Sequence, residues 1–291
     1  MARISETDLI LNDDGSVYHL NLLPEDIADT IITVGDPERV TQVSKYFDRI
    51  EVKKSKREFV SHTGNIGNRR IMVLSTGIGT DNIDIVLNEL DALANIDFQT
   101  RQIKVGLKSL NIIRIGTSGA VQADVPVDSL LVSGMAIGMD ALMHYYQHQN
   151  SDPEIRLLDE FKSALPAGST FSPYIAAANE ALLNVFALNI PTGISISAPG
   201  FYAPQGREVR AKTTLPGLMD AISNFSYKDQ RITNIEMETA GIYGLAATLG
   251  HRAISFNAIL ANRITQEFSS RPLRTIDRCI ETVLERIAST L

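Results

Sequence analysis

The chain has 291 residues, with hydrophobic residues at 44% and charged residues at 21%, a composition typical of a globular protein with a sizeable core. Its formal net charge is −7 and its lysines and arginines are scattered, which argues against nucleic acid or an anionic membrane as a partner. The single cysteine, Cys279, excludes an internal disulfide, and the lack of a signal-like or membrane-length apolar segment predicts a cytoplasmic protein.

Apolar strand-like runs alternate with helical patterns from about residue 30 onward. Strands are predicted at 30–34, 70–75, 111–115, 129–133, 192–197 and 253–261. Helices are predicted at 37–46, 82–93, 153–165, 176–186, 215–224, 236–249 and 272–289. The polar segment 94–110 is expected to form a short helix and a loop at the surface. This alternation predicts an α/β fold, with a single domain over 1–291 and three α/β/α layers around a central mixed, largely parallel sheet.

The turn after the first strand combines a helix start with a basic residue. In Val34-Gly-Asp-Pro-Glu-Arg-Val40, Asp36 is the expected N-cap and Pro37 the first helical residue. Arg39 then lies in the first helical turn, where its charge opposes the helix dipole unless an anion compensates it. A solvated arginine is the alternative. A second glycine turn, Ser75-Thr-Gly-Ile-Gly-Thr-Asp81, is by itself a weak signal.

The most informative segment is Asn111-Ile-Ile-Arg-Ile-Gly-Thr-Ser-Gly-Ala120, which places Arg114 inside an apolar strand. A guanidinium cannot lose its proton, so burying Arg114 without acceptors is costly. The strand is predicted to run into a glycine-rich turn at 116–119, whose backbone N–H groups and two hydroxyls suit an oxyanion. A phosphate- or sulfate-like ligand is therefore the first hypothesis, and an internal Arg–carboxylate pair is the alternative.

Two later segments carry further polar groups. The loop Ser197-Ala-Pro-Gly-Phe-Tyr-Ala-Pro-Gln-Gly-Arg207 holds Gln205, which offers a donor and an acceptor, and Arg207, which offers donors only. Glu236-Met237-Glu238 is predicted to open the helix 236–249, where a carboxylate such as Glu236 ordinarily serves as a partner of the helix dipole.

Six motifs in one order make the chain resemble the nucleoside phosphorylase superfamily, and within it the uridine phosphorylases. They are Gly-Asp-Pro-Glu-Arg, Ser-Thr-Gly-Ile-Gly, Arg-Ile-Gly-Thr-Ser-Gly, Phe-Tyr followed by Gln-Gly-Arg, Asn-Ile-Glu-Met-Glu, and Asn-Arg. The resemblance covers nearly the whole chain, from Val17-Tyr-His-Leu20 to Asn262-Arg263.

The resemblance implies a role for each residue that matches a family motif. Those expected to bind phosphate are Gly35, Arg39, Arg57, Arg114 and Thr117, with Arg57 donated by a neighbouring subunit. Those expected to bind ribose are His19, Glu236, Met237 and Glu238, with His19 reaching the 5′-hydroxyl in a neighbour's site. Those expected to bind the base are Phe201, Gln205, Arg207, Leu260 and Arg263. The residues expected to be catalytic are Arg114, Gln205, Arg207 and Glu238.

The activity implied is that of a pentosyltransferase: reversible phosphorolysis of uridine to uracil and ribose 1-phosphate in pyrimidine nucleoside salvage. Inorganic phosphate is the co-substrate, and neither a metal nor an organic cofactor is expected. Asn262 stands where purine-specific relatives carry an aspartate, which favours a pyrimidine substrate. The alternatives are a purine or broad-specificity phosphorylase, a nucleoside hydrolase of the same fold, or a non-catalytic binding protein. A hydrolase would not need Arg39, Arg57 and Arg114 around one site.

The resemblance also implies a homo-oligomer, either a hexamer built as a trimer of dimers or a dimer, with active sites shared between subunits. Residues 1–29 are expected to contribute to the subunit interface. Some bacterial relatives hold an interfacial potassium ion with a glutamate that matches Glu58, but Asn82 stands here in place of their serine. Ala203-Pro204 also replaces a more usual pair, so the sequence leaves the discrimination of 2′-deoxyribose open.

Overall fold

A mixed sheet of twelve strands forms the centre of the computed structural model, which describes residues 3–290. Fourteen strands occur in these residues, of which β5 and β6 pair with each other in a separate two-stranded sheet and the other twelve form the large sheet. They are β1 (Thr30–Val34), β2 (Arg49–Lys56), β3 (Phe59–Ile66), β4 (Arg69–Ser75), β5 (Ile96–Asp97), β6 (Gln102–Ile103), β7 (Asn111–Ala120), β8 (Leu130–Gly138), β9 (Tyr174–Ala177), β10 (Thr192–Ser197), β11 (Ser226–Tyr227), β12 (Gln230–Glu236), β13 (Arg252–Asn262) and β14 (Glu267–Phe268). The helices are α1 (Pro37–Ser44), α2 (Thr80–Asn95), α3 (Asp152–Ala164), α4 (Glu180–Phe186), α5 (Leu218–Asn224), α6 (Thr239–Thr248) and α7 (Pro272–Thr290), with single 3₁₀ turns at Leu142–Tyr145 and Ala203–Gln205.

The strand order of the large sheet is β11-β12-β10-β8-β13-β7-β1-β4-β3-β2. The pairs β4–β1, β1–β7, β7–β13, β8–β10 and β10–β12 are parallel, whereas β2, β3 and the contacts of β8 with β13 are antiparallel. The prediction of an α/β fold with a mixed sheet is therefore confirmed.

Part of this sheet closes on itself. The last residues of β7 pair with β13 on one side and with β12 on the other, where Gly119 faces Ile235 and Ala120 faces Asn234. Because β12 continues through β10 and β8 back to β13, these five strands form a closed circuit. β7 belongs both to this circuit and to the open part of the sheet.

Helices cover both faces of the open part of the sheet. One apolar cluster joins α2 and α6 to the strands, including Leu90 and Leu245. A second cluster joins α1, α4 and α7 to the opposite face, including Val43 and Ile280. These two clusters form the three-layer arrangement that the alternating sequence pattern predicts.

Several elements differ from the prediction, and their sequences explain why. The unpredicted hairpin of β2 and β3 begins with Arg49-Ile-Glu-Val-Lys-Lys-Ser-Lys56, in which exposed and half-buried side chains alternate as expected for a strand at a sheet edge. Residues 174–177 form β9 rather than the start of a helix, so α4 begins only at Glu180. The segment 94–110 contains the last residues of α2 and the short β5–β6 pair, and lacks the separate helix expected there.

Within residues 3–290 no helix has the length and apolarity needed to cross a membrane. A single domain over 1–291, with residues 1–29 at a subunit interface, stays a prediction.

Candidate active site

A cavity of about 690 Å³ lies where β1, β7, β12 and β13 end. Most of the residues that the sequence singles out line it: Gly35, Arg39, Arg114, Thr117, Phe201, Gln205, Arg207, Glu236, Met237, Glu238 and Leu260. His19, Arg57 and Arg263 do not. Glu58, Asn82 and Ser118 line it as well, although the sequence assigns them no substrate contact, and Phe268 lines it without any sequence signal.

The first turn of α1 directs Arg39 into the protein. Asp36 caps the helix by accepting a hydrogen bond from the N–H of Glu38 at 2.9 Å, and Pro37 begins the helix as predicted. Arg39 is only 9% exposed, so the alternative of a solvated arginine is wrong. Burial lowers the pKa of Arg39, and its Nε has no hydrogen-bond partner among the residues described.

Arg114 has carboxylate partners and still retains a free nitrogen. Its Nη2 donates to Glu238 Oε2 at 2.5 Å and lies 3.1 Å from Glu236 Oε2. The internal ion pair considered as the alternative is therefore present. Burial opposes the charge, but the two carboxylates outweigh it and raise the pKa of Arg114. Nη1 is buried and has no partner in the described part of the chain, and Arg114 lines the cavity.

The residues after Arg114 remain in a strand, which corrects the predicted glycine-rich turn. β7 continues to Ala120, with Thr117 opposite Ala258 and Ser118 opposite Ile259 of β13. The glycine at 116 serves a close approach: a Cβ there would lie 1.7 Å from Arg114 Nη1. The guanidinium therefore lies directly over the backbone of Gly116.

Glu236 ends β12 and does not begin a helix, because α6 starts at Thr239. Its carboxylate accepts hydrogen bonds from the N–H groups of Glu238 and Thr239 at 3.0 Å and from the hydroxyl of Ser197 at 2.5 Å. The same hydroxyl accepts from the N–H of Ala240. Glu236 thus binds the N-terminus of α6. This is the role of a helix-dipole partner that the sequence analysis describes.

Glu238 connects the turn at Gly79 to Arg114 on β7. Its Oε1 accepts from the N–H of Gly79 at 2.8 Å, while Oε2 accepts from Arg114. Burial is the main cause that raises the pKa of Glu238; Arg114 opposes the shift and Glu236 adds to it. Each carboxylate oxygen has two lone pairs, so both can accept further hydrogen bonds from a ligand.

At the other end of the cavity, Arg207 organises the loop after β10. Its Nη1 donates to Gln205 Oε1 at 2.6 Å and to the carbonyl of Phe201 at 2.7 Å, and its guanidinium carbon lies 3.8 Å from the centre of the Phe201 ring. Because Arg207 holds Oε1 of the buried Gln205, the Nε2 amide of Gln205 is left to serve as a donor. Burial and the charge of Arg263 lower the pKa of Arg207 to about 10, so it stays cationic at neutral pH.

Asn262 and Arg263 lie behind this loop. Arg263 Nη1 donates to the carbonyl of Gln205 at 2.8 Å, which fixes the loop from outside the cavity. Asn262 donates to the carbonyls of Gln122 and Val125 and accepts from two N–H groups of the following turn. Its side chain therefore stabilises a turn and does not face a ligand.

His19 and Arg57 lie together on a separate surface around Tyr18. The His19 ring meets the Tyr18 ring edge-on at 4.8 Å, and its Nδ1 lies 2.6 Å from Glu89 Oε1. Arg57 is exposed at the tip of the β2–β3 hairpin with φ of 55°, and its guanidinium carbon lies 5.9 Å from the centre of the Tyr18 ring. Neither residue lines the cavity of its own chain.

Similarity to known proteins covers nearly the whole chain. Residues 29–290 match the family model of the phosphorylase superfamily. The uridine phosphorylase of Thermococcus kodakarensis is 30% identical over 262 residues, which are 88% of this chain and 81% of that protein. A DeoD-type purine nucleoside phosphorylase of Buchnera aphidicola is 26% identical, over 94% of this chain and 99% of the relative.

A solved structure is also similar to this chain over nearly its whole length. A Trypanosoma brucei nucleoside phosphorylase, described as showing uridine phosphorylase activity, superimposes with a TM-score of 0.87 at 29% identity. The match covers 97% of this chain and 100% of that one.

Proposed function

The chain belongs to the phosphorylase superfamily, and on that premise we propose that it is a uridine phosphorylase, which converts uridine and phosphate reversibly to uracil and ribose 1-phosphate. One observation carries the proposal. A single cavity presents two buried guanidiniums with unpartnered nitrogens, Arg39 and Arg114, at one end and the Gln205–Arg207 pair at the other. An anion and a base with several carbonyl and N–H groups can therefore be held side by side.

The proposed reaction requires phosphate and nucleoside to meet in a fixed geometry. Arg39 and Arg114 would hold the phosphate oxygens, with Thr117 and the backbone near Gly35 as further donors. Holding both reactants in one cavity removes much of the entropic part of the barrier. Glu238, which lines the cavity beside Arg114, would accept hydrogen bonds from ribose hydroxyls while Met237 packs against the sugar.

Charge moves from sugar to base during the reaction. As the glycosidic bond breaks, the sugar acquires oxocarbenium character and the bonding electrons move into the uracil. Glu238 would stabilise the positive charge at the sugar. Gln205 and Arg207 would donate to the carbonyl oxygens of uracil, where negative charge develops. These side chains supply electrostatic stabilisation through groups already fixed before the substrate binds.

A purine or broad-specificity phosphorylase is the second candidate, and one observation favours keeping it. The side chain of Asn262 is occupied by a turn and does not line the cavity, so it contributes less to base choice than its sequence position suggests. Selectivity for uracil then rests on the Gln205–Arg207 pair.

The test incubates the protein with uridine, thymidine, inosine and methylthioadenosine, each with and without phosphate, and measures free base by chromatography. Phosphate-dependent release of uracil supports the proposal. Phosphate-dependent release of hypoxanthine at a higher kcat/KM than uracil would favour the second candidate. Release of base without phosphate would show a hydrolase instead.

The protein is further proposed to work as a homo-oligomer, hexamer or dimer, in pyrimidine nucleoside salvage in the cytoplasm. His19 and Arg57 support a shared site, because they lie on one surface around Tyr18 and not in the cavity of their own chain. That the protein needs neither a metal nor an organic cofactor stays a prediction.

If each active site is built from two subunits, two inactive variants should complement each other when they are co-expressed. Arg57→Ala and Arg207→Ala should each be poorly active alone, but co-expression should restore activity to about a quarter of wild type, because half of the mixed dimers' sites are intact. Co-expressed Gln205→Ala and Arg207→Ala, both within one cavity, should show no recovery. A fully active monomer in analytical ultracentrifugation would contradict the shared site.

Gly116→Ala is expected to raise the KM for phosphate about 10- to 100-fold, since the added Cβ would overlap Arg114 Nη1 and displace a charged hydrogen-bond donor. Gly119→Ala is the matched control: it lies on the same strand and cavity wall, and its Cβ would meet no atom closer than 3.8 Å. Initial rates at varied phosphate test both variants. Equal phosphate KM values for the two would show that Arg114 does not bind the anion.

A further inference from the structure

Asp128 lies in the turn between β7 and β8 and joins this turn to the start of α7. Its Oδ1 accepts hydrogen bonds from the hydroxyls of Ser269 at 2.5 Å and Thr275 at 2.7 Å, and its Oδ2 accepts from Arg271 Nε at 3.1 Å. The backbone carbonyl of Asp128 accepts from Arg278. One residue therefore binds four residues in α7 and in the segment that leads into it.

The backbone of Asp128 adopts a conformation that favours glycine. Its φ is 65°, in the left-handed region that residues with a side chain rarely occupy. Its N–H donates to the carbonyl of Ile259 at 2.8 Å, which fixes the turn on β13. The hydrogen bonds from Ser269 and Thr275 lower the pKa of Asp128, so it is an anion at neutral pH. A strained position whose side chain has several partners indicates a role beyond forming the turn.

The partners of Asp128 follow directly after an exposed segment at the mouth of the cavity. This rim segment consists of residues 264–268, which are all exposed. Phe268, its last residue, lines the cavity although the residue is 72% exposed. Because the rim segment buries little surface of its own, its position depends on the residues that anchor its two ends.

Each end of the rim segment has one anchor. At the start, Asn262 Oδ1 accepts from the N–H groups of Ile264 and Thr265 at 2.9 and 3.0 Å. After the end, the buried Ser269 donates its hydroxyl to Asp128. The first anchor is local, whereas Asp128 lies 141 residues earlier in the chain than Ser269. The tertiary structure thus fixes the end of the rim segment that carries Phe268.

Phe268 lies at the end of the cavity where we place the nucleoside. It pairs with Ala261 on β13, whereas Arg114 pairs with Ser255 on the same strand. Six residues of β13 separate these two pairs, which corresponds to roughly 20 Å along an extended strand. The Phe268 ring can therefore contact a nucleoside without approaching the phosphate.

We propose that Asp128 is a positioning residue that holds Phe268 against the bound nucleoside. The inference rests on the proposed function and adds a residue outside the cavity to its machinery. Asp128 does not line the cavity, so it acts through Ser269 and Phe268. An aromatic side chain that is held in place before the substrate arrives loses less conformational entropy on binding.

Asp128→Gly removes the carboxylate and retains the turn, because glycine adopts a positive φ without strain. We expect the KM for uridine to rise about tenfold, with kcat within about twofold of wild type and the KM for phosphate unchanged. Asp128→Asn keeps the Oδ1 acceptor for Ser269 and Thr275, so it should recover most of the loss. A loss confined to kcat, or an equal rise in the KM for phosphate, would overturn the proposal.

A double variant tests whether Asp128 acts through Phe268. Phe268→Ala alone should raise the KM for uridine, and its combination with Asp128→Gly should raise it no further. Additive effects would show that Asp128 does not act through Phe268. Asp124→Gly is the matched control, because Asp124 belongs to the same turn but its carboxylate binds the surface residue Arg231 at 2.6 Å. Its KM for uridine should equal that of wild type.

Hydrogen exchange of the substrate-free protein gives a readout that does not depend on activity. The amides of residues 264–269 should exchange faster in Asp128→Gly than in wild type and Asp124→Gly. Equal exchange in the three proteins would overturn the proposal. Should Asp128→Gly fail to fold, Ser269→Ala removes the same link and should give the same rise in the KM for uridine. Wild-type protein without phosphate-dependent release of uracil would instead refute the proposed function, which keeps the two failures distinct.

Discussion

Arg114→Met is expected to abolish phosphorolysis and to lower the free energy of unfolding by about 3–5 kcal/mol at neutral pH. The substitution removes a residue proposed to bind phosphate. It also removes the only cation within 4 Å of Glu236 and Glu238 among residues 3–290. Methionine fills much of the volume but cannot balance two buried carboxylates. Steady-state kinetics and urea denaturation measure the two effects separately.

The loss of stability should depend on pH. Burial already raises the pKa of Glu238 above its ordinary value of 4.5, and removing Arg114 raises it further. The folded variant then binds a proton more tightly than the unfolded chain, so the destabilisation is small near pH 4.5 and grows as pH rises through the folded pKa. Denaturation at pH 5 and pH 8 should show this difference.

A double variant separates charge from packing. Arg114→Met combined with Glu238→Gln removes the charge of Glu238 and keeps an acceptor for the N–H of Gly79. Glu236 remains charged, but the N–H groups at the start of α6 still stabilise it. Stability should return to within about 1 kcal/mol of wild type, whereas activity should not return. A double variant as unstable as the single one, or a pH-independent loss, would contradict this account of Arg114.

Arg207→Ala is expected to reduce kcat/KM for uridine by about 10²–10³-fold with little change in the free energy of unfolding. The substitution removes a donor to the base and the contacts that orient Gln205 and Phe201. The KM for phosphate should stay near wild type, because Arg39 and Arg114 lie at the other end of the cavity.

Two further substitutions sharpen the test of Arg207. Arg210→Ala changes an exposed arginine of the same loop and serves as the control, with activity near wild type. Arg207→Lys keeps the charge but not the planar fork, so it should recover only part of the activity. Near-wild-type kinetics of Arg207→Ala would refute its role in base recognition.

The sequence predicts the fold where strands are uniformly apolar. β1 and β10 match their predicted bounds, and the run of isoleucines at 112–115 predicts the first half of β7. The sequence pattern does not predict β12, because Gln230-Arg-Ile-Thr-Asn-Ile-Glu236 has polar residues facing the interior of the closed circuit, where hydrogen bonds satisfy them. The pattern of apolar residues cannot anticipate a polar interior that depends on neighbours from four other strands.

The sequence indicates which charged residues of the candidate site are buried, but it does not indicate their partners. Burial of Arg39 and Arg114 follows from their places in a helix start and an apolar strand. Pairing of Arg114 with two carboxylates more than 120 residues later depends on tertiary structure, and so does the use of Glu236 by α6. Arg263, whose role in binding the base stays a prediction, also donates to the carbonyl of Gln205, a contact that local sequence does not reveal.

The carboxylates beside Arg114 also influence how fast phosphate can arrive. Glu236 and Glu238 offset the charges of Arg39 and Arg114 for an ion still in solution, and the chain as a whole carries a net charge of −7. Beyond a Debye length of about 8 Å, phosphate therefore experiences no attractive field that would guide it to the cavity. Its association rate constant should change little with ionic strength, and its affinity should arise only after desolvation, from the donors that it contacts.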